Sequence, residues 1–197
     1  KMIMNGWLFI DKPVGLTSFQ AVNQIKKALG VKKIGHSGTL DPFATGILAI
    51  AIGEATKSIK LFNKSKTYEF LVSFGKLKDT DDITGKTIQT SENIPTKKDI
   101  ESCINNFLIN YEQVPPDYSA VKVDGVRAYK LARMKREFSL KAKKVQILNM
   151  NFFETYKSNE FRFIVDCSTG TYIRSIARDL GAMLDTYAYV KELRRTK

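Results

Sequence analysis

Apolar residues recur along this chain at two spacings, one typical of strands and one typical of helices. Residues 68–74 alternate between polar and apolar side chains, and residues 46–52 form an unbroken β-prone run. The first pattern predicts a strand, and the second predicts a strand inside a sheet. We expect a helix with Ser18 as its N-cap and Gly30 as its stop. Its apolar face is formed by Phe19, Val22, Ile25 and Leu29.

The same patterns predict further elements and a fold class. Residues 7–10 predict a buried strand, and residues 143–153 and 161–167 predict two strands joined by a polar loop. Thr96 and Asp99 form a capping-box pattern ahead of another helix. The apolar face of a last helix lies at Ile173, Ile176, Ala177 and Leu180. Because strands and helices do not alternate regularly, the sequence predicts an α+β fold.

The composition is that of one globular domain with a strong positive charge. The 197 residues are 43% hydrophobic, and 32 Lys and Arg against 20 acidic residues give a net charge of +12. Such a charge favours a polyanionic partner, because basic side chains displace condensed counterions from phosphates. A basic protein that is merely soluble has the same composition, so the charge alone leaves both interpretations open.

The cysteine and histidine counts limit the chemistry of any site. The chain has two cysteines, Cys103 and Cys167, and one histidine, His36, at no spacing typical of metal ligands. We therefore expect neither a zinc site nor a disulfide framework, and we expect both cysteines to be buried. No apolar run approaches the roughly 20 residues of a membrane span, and a reducing cytoplasm is the expected location.

Residues 35–46 form the most informative segment. It contains three glycines and the pair Asp41–Pro42 between two apolar stretches. A loop on a rigid scaffold is a typical place for a reactive carboxylate. Asp followed by Pro is also typical of a helix N-cap, and His36 in such a segment is also typical of a hydrogen-bonded structural residue. The residues alone leave these alternatives open.

Ordered motifs along the chain resemble those of the TruB family of pseudouridine synthases. Residues 35–46 are similar to the family's G-H-x-G-x-L-D-P-x-A-x-G loop, and residues 53–57 to its G-E-A-T-K motif. Further matching segments are 11–18, 66–68, 79–85, 115–122, 125–129, 167–174 and 193–195. The resemblance covers nearly the whole chain. It implies the pseudouridine synthase catalytic fold, a mixed and mostly antiparallel sheet flanked by helices and loops.

The resemblance implies an isomerase that uses neither a cofactor nor a metal ion. Its substrate would be uridine-55 in the T loop of transfer RNA, which is flipped out and converted to pseudouridine. Asp41 matches the essential aspartate of the family, and Arg174 matches the arginine that pairs with it. Tyr68 matches the tyrosine that stacks on the flipped base and is placed to help remove the C5 proton. A carboxylate must be ionised to act, and a nearby guanidinium keeps it so.

The resemblance also implies residues that hold the substrate. They are Lys12 and Pro13, which support the active-site loop, His36, which packs against nucleotides, Asp82, which touches the T loop, and Tyr172 and Leu193, which form an aromatic wall and an apolar floor. A dense basic stretch at residues 122–144 includes Lys122 and Arg127. We expect it to contact RNA phosphates, and a solubilising helix face is the alternative.

The expected organisation is one pseudouridine synthase catalytic domain over residues 1–197. The family's C-terminal PUA-type RNA-binding domain is expected to be absent or truncated. We expect a monomer that binds the T arm of tRNA, with no obligate protein partner and no membrane. Three alternatives remain: a dyskerin-type synthase guided by a separate RNA, an RNA-folding factor that grips the T arm without catalysis, and a basic structural or ribosome-associated protein.

The charge predicts that RNA binding weakens steeply with salt. The logarithm of the binding constant is expected to fall by about 0.7 to 0.9 per logarithmic unit of salt for each phosphate neutralised, because counterions are released. Titration of an unmodified tRNA transcript at several salt concentrations measures this slope. A flat profile would contradict an electrostatic contribution to binding.

Overall fold

The computed structural model describes residues 4–61, 65–108 and 111–197. Within these ranges the chain forms thirteen strands, four α-helices and two 3-10 helices. The strands are β1 Gly6–Lys12, β2 Ile34–Ser37, β3 Thr45–Ile52, β4 Ser65–Phe74, β5 Lys76–Lys78, β6 Thr87–Thr90, β7 Tyr111–Gln113, β8 Lys122–Val123, β9 Val126–Arg127, β10 Lys143–Val145, β11 Ile147–Glu154, β12 Glu160–Ser168 and β13 Ala188–Arg195. The α-helices are α1 Ser18–Leu29, α2 Lys97–Ile104, α3 Ala128–Arg133 and α4 Ile173–Met183, and the 3-10 helices are Gly53–Leu61 and Asn105–Phe107.

One seven-stranded sheet organises the molecule. Its order is β1-β3-β13-β4-β12-β11, with β2 also paired to β3. The pairs are antiparallel, except for a two-residue parallel contact between β13 and β3. This mixed, mostly antiparallel sheet with few helices confirms the predicted α+β class. The predictions of β4 and of β3 as an interior strand are also confirmed.

Helix α4 packs against the sheet and has more buried residues than the other α-helices. Its predicted face is buried at Ile173, Ile176, Ala177 and Leu180. Burying a side chain of the size of Leu or Ile stabilises a fold by about 1.5–3 kcal/mol. The helix therefore has a fixed position on the sheet, and the residues at its first turn are fixed with it.

The start of α1 differs from the prediction by one residue. Thr17 is the N-cap, and its side chain accepts a hydrogen bond from the backbone N–H of Gln20 in a complete capping box. Ser18 cannot serve as the cap because its hydroxyl is bonded to the backbone of Leu40. The predicted stop is confirmed, since Gly30 adopts the left-handed conformation at φ +60°.

The strand predicted at residues 7–10 is confirmed as β1, but its predicted burial and the single strand predicted over residues 143–153 were wrong, because sheet position is not local. Strand β1 is an edge strand and only half-buried, and Phe9 is exposed on it. The predicted strand over residues 143–153 is two strands, of which β10 pairs with β7 outside the large sheet. The first residues of segment 35–46 lie in β2 instead of a loop, and β13 had not been predicted.

The Asp-Pro pair does not begin a helix. Residues 42–43 form a turn, and the N–H of Ala44 donates to the carbonyl oxygen of Asp41 at 3.1 Å. The N-cap alternative for Asp41 is therefore wrong.

Cys103 and Cys167 are both free and buried, as expected. In the parts of the chain that the structure describes, no helix is long and apolar enough to cross a bilayer.

Gly46, at the start of β3, lies close against the backbone of strand β13. Its φ is +106°, and a Cβ there would lie 2.6 Å from the backbone nitrogen of Arg195 and would clash with its carbonyl oxygen. Gly46→Ala is expected to lower the free energy of unfolding by about 3 kcal/mol, because strand β13 has to move. Chemical denaturation measures the loss.

Gly30→Ala is the matched control for this substitution. Gly30 also has a positive φ, but a Cβ there would meet nothing within 4 Å. It is expected to lower the free energy of unfolding by about 1 kcal/mol, since only the backbone conformation is disfavoured. Equal losses for the two variants would contradict the close approach of the two strands.

Candidate active site

The Asp41 loop connects β2 to β3 and is held on both sides of the carboxylate. The hydroxyl of Ser18 accepts a hydrogen bond from the N–H of Leu40 at 2.8 Å and donates to its carbonyl at 3.1 Å. The N–H of Gly15 donates to the carbonyl of Pro42 at 2.7 Å. The residues immediately before and after Asp41 are thus fixed to the start of α1 and to the loop that precedes it.

Lys12 supports this loop from inside the protein. Its side chain is fully buried, and its ammonium donates to the carbonyl oxygens of Pro13 at 2.8 Å and Leu16 at 2.7 Å, with a longer contact to Pro42 at 3.5 Å. Burial lowers the pKa of Lys12, and the charge of Asp41 opposes that shift. Lys12 therefore holds the loop and is not open to a ligand, whereas Pro13 is exposed.

Asp41 and Arg174 form an ion pair at the mouth of the site. One guanidinium nitrogen of Arg174, Nη2, donates to Oδ1 of Asp41 at 3.2 Å. Its Nε lies 3.0 Å from Oδ2, but the N–H is not aligned for a hydrogen bond. The Asp41 side chain is 33% exposed and that of Arg174 is 5% exposed. The carboxylate is thus open to a ligand on one side and fixed by a buried cation on the other.

Two backbone carbonyls fix the orientation of the Arg174 guanidinium. Its Nη1 donates to the carbonyl of Thr80 at 3.0 Å, and its Nη2 donates to that of Tyr118 at 3.1 Å. A guanidinium satisfies several acceptors at once in a fixed planar geometry. Arg174, in the first turn of α4, therefore connects three separate loops, and a single alternative side-chain position would break several of these contacts.

Asp82 lies behind Arg174, and its predicted contact with RNA, which needs its carboxylate to turn towards a ligand, stays a prediction. Its Oδ2 is 3.5 Å from Nη1 of Arg174, and its Oδ1 accepts hydrogen bonds from the Thr80 hydroxyl at 2.8 Å and the Thr84 N–H at 2.9 Å. The side chain is buried. Because both oxygens are already engaged, Asp82 orients the arginine and does not present its carboxylate to a ligand.

The charges around Asp41 have opposite effects on the pKa of its carboxyl. Burial raises the pKa of the Asp41 carboxyl above its ordinary value of 3.8, and the nearby Asp82 charge adds to this rise, while Arg174 and Lys12 oppose it. The ionised carboxylate is thus less well solvated than in water and is supported by two cations. Perturbation of this kind, in an accessible group with a specific charge partner, is typical of functional carboxylates.

Tyr68 and Leu193 lie on the sheet face beside this loop. In the pairing of β4 with β13, Tyr68 is opposite Arg195 and Leu193 is opposite Phe70. Burial raises the pKa of the Tyr68 phenol, the nearby Arg195 charge opposes the rise, and the charge of Asp41 adds to it. The structure therefore brings the predicted tyrosine within electrostatic reach of Asp41, with Leu193 on the neighbouring strand.

Tyr172 lies at the start of α4 and is held by a residue that the sequence did not indicate. The side-chain amide of Gln113 accepts from the N–H of Tyr172 at 2.7 Å and donates to its carbonyl at 3.1 Å. Burial raises the pKa of the Tyr172 phenol, while a hydrogen bond to Ser119 and the charges of Arg174 and Arg127 oppose the rise. Gln113 acts on main-chain atoms distant in sequence, so no motif reveals it.

The remaining predicted residues lie at the edge of the site. His36, on β2, has a pKa below its ordinary value because of burial, so its imidazole is neutral at neutral pH. Its Nδ1 is buried without a hydrogen-bond partner in the described part of the chain. Lys122 and Arg127 are paired across the exposed β8–β9 hairpin. Arg127 contacts the carbonyl of Ala120 and, as noted above, influences Tyr172.

The fold and this site define a mixed-sheet domain with one accessible carboxylate, a buried arginine that pairs with it, and two flanking tyrosines. Over residues 4–61, 65–108 and 111–197, no group of three or more His, Cys, Asp or Glu side chains is arranged to hold a metal ion. Residues 26–173 match the N-terminal domain of the TruB family of pseudouridylate synthases. The chain belongs to this family.

Curated relatives and solved structures agree with that assignment. The chain is 46% identical over 196 residues to the tRNA pseudouridine synthase B of Ehrlichia chaffeensis, and 47% identical over 197 residues to that of Wolbachia pipientis. Both matches cover 98% of this chain, which spans 66% and 56% of the length of those two relatives. A crystal structure of a Cbf5-Nop10-Gar1 complex matches with a TM-score of 0.74 at 28% identity, over 98% of this chain and 48% of that one.

Arg174→Lys is expected to lower the free energy of unfolding by about 2 kcal/mol. One ammonium cannot reach two carboxylates and two carbonyls together, so buried acceptors lose their donor. Arg162→Lys is the control, since Arg162 forms exposed ion pairs with Glu69 and Glu192 and such pairs contribute little. Thermal or chemical denaturation of both variants measures the difference. Equal stability of the two would contradict the role of Arg174 in fixing the loops.

Proposed function

We propose that this protein is a tRNA pseudouridine synthase, an isomerase that converts uridine-55 in the T loop of tRNA to pseudouridine. The observation that carries the proposal is the partly exposed Asp41 carboxylate, fixed by buried Arg174 and flanked by Tyr68 and Tyr172. The curated relatives at 46–47% identity, which are named tRNA pseudouridine synthase B, support the same reaction for this chain.

The proposed chemistry needs only the residues of this site. The Asp41 carboxylate attacks either C6 of the uracil ring or C1′ of the ribose, the N1–C1′ bond breaks, and the base rotates. A C5–C1′ bond then forms, the bond between Asp41 and C6 or C1′ breaks and frees the carboxylate, C5 loses its proton, and N1 gains one. Atoms and electrons therefore balance without a redox cofactor. Arg174 keeps the carboxylate ionised and oriented, which a nucleophile of this kind requires.

Aromatic and basic residues handle the RNA in this proposal. A uridine inside a folded loop has to be extruded, which costs a few kcal/mol of stacking energy. Tyr68 stacks on the extruded base, Tyr172 and Leu193 line the pocket, and His36 packs against neighbouring nucleotides, since unstacked RNA bases are bound mainly by aromatic contacts. The exposed hairpin with Lys122 and Arg127 binds phosphates of the T arm.

The proposal includes the organisation of the protein. We take residues 1–197 as a catalytic domain that acts in the cytoplasm as a monomer, with no obligate protein partner. The alternative is assembly with other proteins, as in the Cbf5-Nop10-Gar1 complex. The identity of 46–47% to the bacterial relatives, against 28% to that Cbf5 structure, supports the stand-alone form.

An RNA-folding factor without catalysis is the second candidate. RNA binding alone benefits from cations and aromatic side chains, but it does not require a carboxylate beside the RNA, which repels phosphates. Asp41 is open to a ligand and is supported by a buried arginine network. This arrangement favours catalysis, although the two activities are compatible in one protein.

Asp41→Asn is expected to abolish turnover and to leave tRNA affinity within a few-fold of the wild type. The amide keeps the size of the side chain but cannot act as the nucleophile. Tritium release from C5-labelled uridine in an unmodified tRNA transcript measures turnover, and equilibrium binding is measured with the same RNA. One equivalent released by the wild type and none by the variant is the predicted result.

Glu192→Gln is the matched control, because it removes an exposed carboxylate whose partner is Arg162. It is expected to release tritium at the wild-type rate. No release by the wild type with RNA binding intact would favour the RNA-folding candidate. A large loss of affinity in Asp41→Asn would indicate that this carboxylate has a structural role in RNA binding.

A further inference from the structure

Two buried cations lie beside Tyr68 without an acidic partner. Arg195 on β13 is opposite Tyr68 on β4 in the strand register, and Lys66 lies two residues before Tyr68 on the same strand. Directly opposed residues and residues two apart share one face of a sheet. Arg195 is 2% exposed and Lys66 is 8% exposed, and in the described part of the chain neither forms an ion pair with a carboxylate.

Two hydrogen bonds fix the orientation of the Arg195 guanidinium, and its third nitrogen forms none among the described residues. Its Nε donates to the carbonyl of Ile47 at 2.8 Å, and its Nη2 donates to the carbonyl of Gly38 at 3.2 Å. These two acceptors lie on opposite sides of the Asp41 loop. Its Nη1 is buried and has no hydrogen-bond partner among the described residues. Buried donors are nearly always satisfied, so this exception calls for a role.

The groups that face Tyr68 come from several elements. Arg195 faces it from β13, Cys167 from β12 and Asp41 from the loop. Lys66 and His36 also belong to this environment. Burial lowers the pKa of each of them, and the nearby charge of Arg195 lowers it further. Burial raises the pKa of the Tyr68 phenol. Of the groups that face it, Arg195 opposes this rise, because its positive charge favours a negative charge on the Tyr68 oxygen.

We propose that Arg195 is a positioning residue for Tyr68, and that its free Nη1 stabilises negative charge on the phenolic oxygen while Tyr68 accepts a proton from the substrate. This inference rests on the proposed function. The phenol of Tyr68 first gives its proton to bulk water, and the resulting phenolate takes the proton of C5 and becomes a neutral phenol again. The C5–H bond breaks, and its electron pair forms the C5–C6 double bond. C6 gives up one bond in return, either its double bond to N1, which then gains a proton, or its bond to Asp41, which leaves as the carboxylate.

Lys66 is less suited to this role than Arg195. Burial, and then the charge of Arg195, lower the pKa of Lys66 to about 8, so its ammonium loses its proton as the pH rises through that value. A guanidinium stays charged over the whole working range. Arg195 is also bonded to both ends of the Asp41 loop, so its Nη1 has a fixed position relative to the attacking carboxylate.

A fluorine NMR titration tests the contact without any need for turnover. The protein is labelled with 3-fluorotyrosine, and Tyr68→Phe identifies the Tyr68 resonance. Arg195→Gln is expected to raise the pKa of Tyr68 by about one unit or more, because an opposite charge nearby favours the phenolate. Arg195→Lys, which keeps the charge, is expected to retain most of the wild-type value.

Arg194→Gln is the matched control for the titration. Arg194 is the preceding residue on the same strand, points to the opposite face, and pairs with Asp11 at 2.6 Å. It is expected to leave the pKa of Tyr68 unchanged. The proposal is overturned if Arg195→Gln leaves the Tyr68 pKa unchanged, or if Arg194→Gln shifts it equally.

Single-turnover tritium release adds the kinetic test. Arg195→Gln is expected to slow release by about 10- to 100-fold, in the range of one lost electrostatic or proton-transfer contribution, and steady-state assays are expected to give a KM within a few-fold of the wild type. Arg195→Lys is expected to recover part of the rate. A wild-type rate in Arg195→Gln, or a loss confined to KM, overturns the proposal. Absence of release by the wild type refutes the proposed function, and the fluorine titration then still decides whether Arg195 acts on Tyr68.

Discussion

A single buried guanidinium, that of Arg174, determines how the active-site loops are arranged. It contacts the carboxylates of Asp41 and Asp82 and the carbonyls of Thr80 and Tyr118, which lie on three different loops. A buried charge is strongly unfavourable unless its partners are in place, so the loops are stable only in the arrangement that satisfies it. The charge of Arg174 also opposes the rise that burial causes in the pKa of Asp41, and structure and chemistry thus depend on one interaction.

The attachment of the Asp41 loop complements this ion pair. Leu40 is bonded to Ser18 at the start of α1, and the carbonyl of Gly38 and that of Ile47 are both bonded to Arg195. Each anchor lies far from the loop in sequence and inside a regular element. A catalytic side chain placed by rigid elements keeps a productive geometry better than one on a free loop. The loop is thus preorganised although its own residues are rich in glycine.

The two sides of the site have different charged neighbours. On one side, Asp41 and Asp82 share the cation Arg174, and Lys12 acts on Asp41 from inside the protein. On the other, Arg195 and Lys66 lie beside Tyr68 without a carboxylate of their own in the described part of the chain. The charge of Arg195 favours negative charge on the Tyr68 oxygen, against burial, which raises the pKa of that phenol, and the charge of Asp82 adds to the rise in the pKa of Asp41. Such pairs of titratable groups in different environments are typical of sites that transfer protons between an acid and a base.

The sequence by itself determined the family, the fold class, β3, β4 and the faces of α4, because these follow from ordered motifs and from local spacing of apolar residues. Only the tertiary structure decided that β1 is an edge strand, that Asp82 contacts Arg174, and that Gln113 and Arg195 hold the site. The physical reason is that burial and hydrogen bonding between distant segments depend on which strands are neighbours, and side-chain periodicity within one segment does not contain that information.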